Sequence, residues 1–439
     1  MHGIVKKLLA RIPQRRFLGS VSSLYGLQLA TLVLPLVLLP FLTRRLGADV
    51  WGVLAIQTSF STLMIIIIEF GFSFGATRDA AAVRGDRAAL GRIVSNLLGA
   101  RMLLSIFVAA IWVAVWITVP AVRAEPEAYW WTLALTVAQG SSPAWFYQAI
   151  AKLPYIMMRE LAARVASTVL IVVLVHSSSD AWLVPALQFA TLAIVLVLTI
   201  STMMRNVDPQ APSLSGTWTL LRANAHLCFT RLVQLFAPMG NTFLLGVISP
   251  GVAPAYGAAE RTSLAARGLL SPVLQVAFPE IVVLYKQDAQ RARNAVRRIL
   301  VLLVAGAVVM SGALWLLADI VVLILFGSEF ATSVPVFRVL LVSIPLFAII
   351  QVVGLQWLLP LKHDHAFLAS AIVGVVLNVG FGLLLVPDHG AVGMASSLVL
   401  SELAVSIGLL LYTEVFGPKA LRIFRRSNSD IAVVSTPDT

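Results

Sequence analysis

Charge is what this sequence has least of. Asp, Glu, Lys and Arg make up 12% of its 439 residues, against about a quarter in ordinary soluble domains. So few charges cannot clothe a soluble chain of this size, and 59% of the residues are hydrophobic. Cysteine is nearly absent as well: Cys228 stands alone, which excludes a disulfide framework and argues against a thiolate metal cluster. Acidic residues are also short, 20 against 32 basic ones. In a membrane protein the resulting net charge of +12 is a topology signal before it is a nucleic-acid footprint. Twelve helical spans of about 20 residues would take roughly 240 residues. What remains suffices only for short connections, so the composition describes a polytopic membrane protein without a sizeable soluble domain.

Charge-free windows locate the spans, because a bilayer core demands a satisfied backbone and few ionised groups. They run over 17–43, 50–68, 102–122, 128–151, 181–204, 232–259, 299–318, 339–361 and 366–387, with less clean apolar stretches near 155–175, 256–284 and 391–416. The window 232–259 is cut by turn chemistry from Ser249 to Pro254, and the count becomes twelve.

The 32 basic residues fall unevenly on alternate connections. One side takes 22, the other only Arg44, Arg45 and Arg123, and seven lie within apolar stretches. The positive-inside rule puts the richer side and both termini in the cytoplasm, which requires an even span count. Met1 to Arg16 is expected to be a basic interfacial helix and not a signal peptide, since the apolar stretch after it is too long for an h-region. The tail after Arg426 is expected to be disordered. The layout is therefore a cytoplasmic N-terminus (1–17), an N-lobe of six spans (18–204), a cytoplasmic linker (205–221), a C-lobe of six spans (222–416) and a cytoplasmic tail (417–439).

A weak internal repeat points the same way. Sliding the second half back by about 205 residues lays Trp51-Gly52 on Tyr256-Gly257 and Arg92 on Arg297, and brings Gln28 and Pro35 within two residues of Arg231 and Pro238. Six spans per half is an even number, so both halves enter the membrane alike, as parallel lobes about an axis along the membrane normal. Such lobes suit a rocking transporter with a central cavity.

Ionisable side chains inside spans normally face a cavity or a partner. The basic ones are Arg101, Arg159, Arg164, Arg231, Arg261, Arg267 and Arg338; the acidic ones of weight are Glu69, Glu160, Glu260, Glu280 and Glu402. Arg231, Gln234 and Asn241 share one helix face and are expected to look into the cavity. Glu260 and Arg267 share another face beside Arg261, either to bind an anionic head group or to neutralise each other or a neighbouring helix. Arg101 is expected in the cavity, whereas Arg159, Arg164 and Arg338 are expected to snorkel. Glu69 either carries a coupling ion or pairs locally with Arg78 or Arg101. Gln28 and Thr31 mark a polar cavity helix or ordinary interhelical hydrogen bonding. Trp145, Phe146 and Tyr147 read as an interfacial belt beside Lys152. His363, Asp364 and His365 form a solvated turn in preference to a metal site, for want of further ligands.

At these residues the chain resembles the Wzx-type oligosaccharide repeat-unit flippases of bacterial polysaccharide assembly, in the superfamily that also holds multidrug and peptidoglycan-precursor exporters. The resemblance runs nearly end to end. Leu34-Pro35, Leu39-Pro40-Phe41-Leu42-Thr43-Arg44-Arg45-Leu46-Gly47 and Trp51-Gly52 look like the family's first hairpin, and Glu69-Phe70-Gly71-Phe72 like its acidic-aromatic-Gly-Phe segment. Trp145-Phe146-Tyr147-Gln148, Tyr256-Gly257-Ala258-Ala259-Glu260-Arg261 and Leu325-Phe326-Gly327 look like three further motifs. Ala149 and Ala151 depart from the pattern, standing where glycine and glutamate are expected, which removes support for a carboxylate there. The resemblance implies an all-α MATE- and MurJ-like fold of twelve transmembrane helices in two parallel six-helix lobes around a central cavity. It implies translocation of undecaprenyl-diphosphate-linked oligosaccharide from the cytoplasmic to the periplasmic leaflet of a bacterial inner membrane, for O-antigen or exopolysaccharide synthesis alongside the polysaccharide polymerase machinery. Arg101, Arg231, Arg261 and Arg267 would then attract the diphosphate, with Gln28, Gln234 and Asn241 facing sugars. Glu69 or Glu260 would couple transport to a proton or sodium ion, and no cofactor, metal or nucleic acid is implied.

Two other classes make different demands. A cation-coupled drug exporter of the same architecture should favour carboxylates in its cavity, whereas the deep spans here hold more arginine than acid. A membrane enzyme acting on lipid-linked glycans should carry a large external loop with catalytic residues, and the longest external connection here is the one around Arg123 to Glu127.

Overall fold

A computed structural model describes residues 14–416 and Ile423, other than 74, 84, 151 and 362. Side chains are described from Leu34 on, except those of residues 35, 36, 237, 238, 272, 275, 276, 279, 280, 286, 364 and 416. The expected N-terminal interfacial helix lies almost wholly outside the described residues, as do the tail and the side chains of Gln28, Thr31 and Glu280.

The described chain is nearly all helix. α1 (Gln14–Glu69) is 56 residues long and consists of two helices meeting at Gly47. Gly47 has φ 76° and ψ 169°, a region essentially closed to residues with a Cβ. α2 (Gly75–Ala82) is short, and α3 (Arg87–Thr118) begins where Asp86 Oδ1 accepts from the backbone N–H groups of Ala88 and Ala89, both at 2.9 Å. α4 (Pro126–Gly140), α5 (Ala144–Ala149), α6 (Leu153–Leu174) and α7 (Leu183–Arg205) complete the first half.

The connection to the second half is non-helical only over 206–213, shorter than the stretch read from sequence, because Ser213 caps α8 (Leu214–Ile248) from the front. α9 (Ala253–Gly268) follows a single turn over Pro250–Val252, at the cut expected from Ser249 to Pro254. α10 (Ser271–Gln287), α11 (Ala289–Leu316), α12 (Ala318–Phe326) and α13 (Ser333–Ile350) come next, α13 running on as a π-helix over Gln351–Leu358. α14 (Asp364–Leu411) again joins two helices, at Gly390, and ends in a π-turn over Tyr412–Phe416.

Three helices start well before their apolar windows: α3 at Arg87, α8 at Leu214 and α11 at Ala289. Each is opened by a capping side chain, from Asp86, Ser213 and Asp288. The bilayer ends the demand for apolar residues, not the helix, which runs on through basic sequence until a cap satisfies its first N–H groups. Six helices among the described residues are long and apolar enough to cross a membrane, and a seventh counts if the two parts of α8, bent by 68° between Phe236 and Met239, form one span. Their outward faces are apolar: Met102, Ile106 and Phe107 on α3, Val308 and Val309 on α11, and Leu383 and Leu384 on α14 are all exposed, as lipid contact requires.

Among the described residues, two packed cores hold the helices together. The larger runs between the halves, where the Trp51 ring meets Phe326 and Phe330 edge-on at 5.8 and 5.4 Å, and Phe60 lies between Trp112 and Phe243 at 4.7 and 4.6 Å. The smaller gathers Phe72, Leu97, Phe146, Tyr147 and Met203 in the first half. Here the structure corrects the sequence reading: Trp145, Phe146 and Tyr147 are buried and form no interfacial belt. Tyr147 donates its hydroxyl to the carbonyl of Thr199 at 2.7 Å. A run of aromatics beside a lysine fits both settings in sequence, and only the packing of α5 against its neighbours separates them.

Candidate functional site

The two halves meet along a seam in which the second helix of α1 packs against α8 and α9. Near the Gly47 end, Arg44 Nη2 donates to the Ile324 carbonyl at 3.0 Å and Thr43 Oγ1 to that of Leu325 at 3.4 Å. Next along the seam, a methyl added to Gly52 would collide with Pro254, and one added to Gly257 would lie 3.3 Å from Ala55 and Thr242. Gly52 and Gly257 are the glycines aligned by the internal repeat, and they sit at the same helix crossing, where small residues let backbones approach. At mid-height Ser59 Oγ donates to the Met239 carbonyl at 2.6 Å and accepts from the Phe243 N–H at 3.2 Å, so a hydroxyl of the first half enters the hydrogen-bond ladder of α8.

At the far end the seam becomes charged. Arg231 Nη1 on α8 lies 2.9 Å from Glu69 Oε2 on α1, with the two side chains 31% and 29% exposed. One turn earlier Cys228 is buried, its Sγ 3.9 Å from the Ile66 carbonyl. Glu69 is the last residue of α1, and the chain leaves it through Phe70 and Gly71, both at positive φ. Arg231 is about two turns short of the α8 bend, and Gln234 beside it is half-buried. A guanidinium on a partly accessible seam can take a phosphoryl or carboxylate anion through its planar fork.

The second half buries its own polar residues more deeply. Asn241, expected beside Gln234 in the cavity, is fully buried, where its amide nitrogen donates to the Tyr256 hydroxyl at 3.1 Å and its oxygen accepts from Asn378 at 2.7 Å. Ser397 donates to Asn378 Oδ1 at 3.3 Å, so α8, α9 and both helices of α14 share one network. Glu260 and Arg267 do not pair with each other: Thr242 donates to Glu260 Oε2 at 2.6 Å, whereas Arg267 makes a two-point contact with Glu402 on α14, at 2.7 and 3.0 Å. The Arg267 and Glu402 side chains are 5% and 12% exposed. Glu260 Oε1 is buried without a hydrogen-bond partner. The residue borders a void of about 10 Å³, shared with Ser263, Arg267, Leu340 and Leu398. That is room on the order of one water or small ion. Arg261, beside Glu260, stands 5.1 Å over the Trp51 ring on the seam.

Arg101 is buried in the first half. Its Nη1 donates to the carbonyls of Ser141 and Ser142 at 2.7 and 2.9 Å, closing the break between α4 and α5. It is only 6% exposed, it feels the charge of Glu69, and its Nε has no hydrogen-bond partner. Arg159 lies 4.0 Å over the Tyr155 ring, and Arg338 pairs with Asp319 at 2.6 Å. His363 Nδ1 lies 3.2 Å from the Tyr412 hydroxyl, and among the described residues no three of His, Cys, Asp and Glu gather to hold a metal ion. Sequence reading missed Thr242, Asn378, Ser397 and Ser59. Asn378 alone carried a signal, as a lone amide in an apolar span; the hydroxyls carried none.

Residues 17–284, more than half of the chain, match the family described as polysaccharide biosynthesis protein. The chain belongs to that family. The matched segment includes α1 from Phe17 on and the whole of α8 and α9, and so both sides of the seam. The chain is also similar to two provisionally named O-antigen transporters. The one from Escherichia coli (strain K12) is 22% identical over 359 residues, 79% of this chain and 84% of that protein. The one from Shigella dysenteriae is 23% identical over 367 residues, 80% and 88% of the two chains. Two solved structures share the fold, each with a TM-score of 0.70: an inward-facing multidrug resistance transporter of the MATE family in the MOP superfamily, at 14% identity over 88% of this chain and 93% of that one, and the lipid II flippase MurJ in an inward closed conformation, at 10% identity over 90% and 89%. At these identities the likeness is one of fold.

Proposed function

We propose that this chain is a flippase that moves undecaprenyl-diphosphate-linked oligosaccharide repeat units from the cytoplasmic to the periplasmic leaflet of a bacterial inner membrane, for O-antigen or exopolysaccharide synthesis. It is a transporter and not an enzyme. The observation that carries the reading is the seam: two packed halves meet along one face, and where that face is partly accessible it presents Arg231. Family membership and the provisional names of the relatives support the substrate class.

In this reading α1 and α14 each contribute two spans, α4 with α5 and α9 with α10 one each, and the total is twelve in two lobes of six. Both termini are cytoplasmic, so the Glu69 end of the seam faces the cytoplasm and the Gly47 end the periplasm. Arg231 and Gln234 meet the head group as the lobes part at the cytoplasmic end. Arg261 lies further along the path, and the lipid tail stays in the bilayer between lobes. Arg101 and Arg267 hold the frame in the closed conformation. Glu260, with its unpartnered oxygen beside a water-sized void, is the better placed of the two carboxylates to carry a coupling proton or sodium ion. The emerging repeat units pass to the polysaccharide polymerase machinery.

The test is genetic. Deletion in the native host should leave complete, labelled lipid-linked oligosaccharide on the cytoplasmic leaflet, relieved by the wild-type gene and not by Arg231→Ala or Arg261→Ala. Normal glycan export, with new sensitivity to cationic drugs, would overturn the proposal in favour of a drug exporter.

A further inference from the structure

The geometry points to Glu69 as an internal stand-in for the substrate's diphosphate: its carboxylate holds Arg231 across the closed seam, and a diphosphate that takes over the arginine releases the two halves from each other. The inference rests on the flippase reading and gives Glu69 a role other than ion coupling.

Among the described residues, the Arg267–Glu402 and Arg231–Glu69 pairs sit in different settings. Arg267–Glu402 is sealed, two-pointed and internal to the second half. Arg231–Glu69 joins the halves across 162 residues of sequence, and about a third of each side chain is open. A pair that only neutralises itself needs no route for another ligand; one that must exchange partners has to be reachable. Carboxylate and phosphoryl oxygens accept from the same guanidinium fork, and a diphosphate brings more charge and more acceptor oxygens to it than one carboxylate does.

The displaced carboxylate also has somewhere to go. Arg101 already feels the charge of Glu69, and its buried Nε lacks a hydrogen-bond partner. Arg101 therefore offers the freed carboxylate a second cation, so exchange leaves no bare charge in the seam. The contacts around the pair are tight: Cys228 lies against the Ile66 carbonyl, and a methyl on Gly75 would collide with Asn224. Such a closed-packed stretch opens as a unit, so loss of the Arg231–Glu69 tie can be transmitted to all of it.

Cys228 supplies the reporter, since it is the chain's single cysteine and is buried in this stretch. Full-length protein in zwitterionic nanodiscs would be treated with a maleimide, alone and with inorganic pyrophosphate, orthophosphate, undecaprenyl diphosphate or added phosphatidylglycerol, and binding of both diphosphates measured in parallel. Undecaprenyl diphosphate should speed modification of Cys228 about tenfold, within the range of ordinary coupling between sites. A like response to pyrophosphate assigns the effect to the head group alone; a response to the lipid-linked form only assigns it to a head group delivered from the bilayer. Glu69→Gln should bind whichever diphosphate acts on the wild type about tenfold more tightly and be labelled fast without ligand, whereas Glu69→Asp, which keeps the charge, should behave as wild type. Arg231→Gln should be labelled fast and bind nothing. The inference is overturned if Glu69→Gln binds no more tightly than wild type, if saturating diphosphate leaves labelling unchanged, or if phosphatidylglycerol acts as well as diphosphate. Failure of the wild type to bind either diphosphate would remove the flippase reading itself; binding that ignores Glu69 and Arg231 would leave that reading standing and remove this one.

Discussion

Arg231 and Arg267 are the same side chain under opposite constraints, and they should fail differently. Removing Arg267 leaves Glu402 as an uncompensated buried charge, which costs about 3–5 kcal/mol. Arg267→Ala is therefore expected to lower the midpoint of thermal unfolding sharply in detergent, and Arg267→Met combined with Glu402→Leu to restore most of it. Arg231 and Glu69 are about a third exposed, so solvent screens the pair and Arg231→Ala should cost only about 1 kcal/mol or less while abolishing export. Equal thermal losses for Arg231→Ala and Arg267→Ala would remove the distinction between a reachable tie and a sealed one. Asn241 belongs with Arg267: fully buried and bonded to Tyr256 and Asn378, it specifies packing in the second half.

At the scale of elements, glycine and capping residues set where helices turn and start. At Gly47 a Cβ would meet nothing within 4 Å, so the requirement is conformational and not steric. Gly47→Ala should cost about 1–3 kcal/mol, and Gly306→Ala, also with open space around it but inside α11, should be neutral or stabilising by up to about 1 kcal/mol. Thermal unfolding of the two variants side by side checks this, and an equal response would refute the assignment of Gly47 to a glycine-only turn. Asp86→Ala should cost about 1 kcal/mol, because two N–H groups of α3 lose their shared acceptor; Asp86→Asn should recover most of it.

For the whole molecule, the proposed layout of two six-helix lobes predicts which loops share a side. In a Cys228→Ser background, Ser179→Cys in the turn after α6 should react with an impermeant maleimide on intact spheroplasts. Asp208→Cys in the connection after α7 should react only after permeabilisation. Labelling of both from one side would mean that α7 does not cross, and would take the parallel-lobe arrangement with it.

Sequence alone determined the membrane class, the nearly all-helical character, the break at Ser249 to Pro254 and the family, because bilayer burial imposes its demand on every residue of a span and turn chemistry is local. It also picked out Glu69, Arg231, Glu260 and Arg267 as charges that need partners, since a charge in an apolar span is conspicuous. Partner choice was not legible. Helical spacing put Glu260 and Arg267 on one face and offered Arg78 or Arg101 to Glu69, yet Arg267 joins Glu402 and Glu69 joins Arg231, 135 and 162 residues away. Trp145 to Tyr147 and Arg101 were likewise visible as residues and invisible as roles. Only the tertiary structure decided these, for one physical reason: which charge meets which, and which aromatic is sealed, depends on how separate helices are packed, and each helix is consistent in sequence with several neighbours.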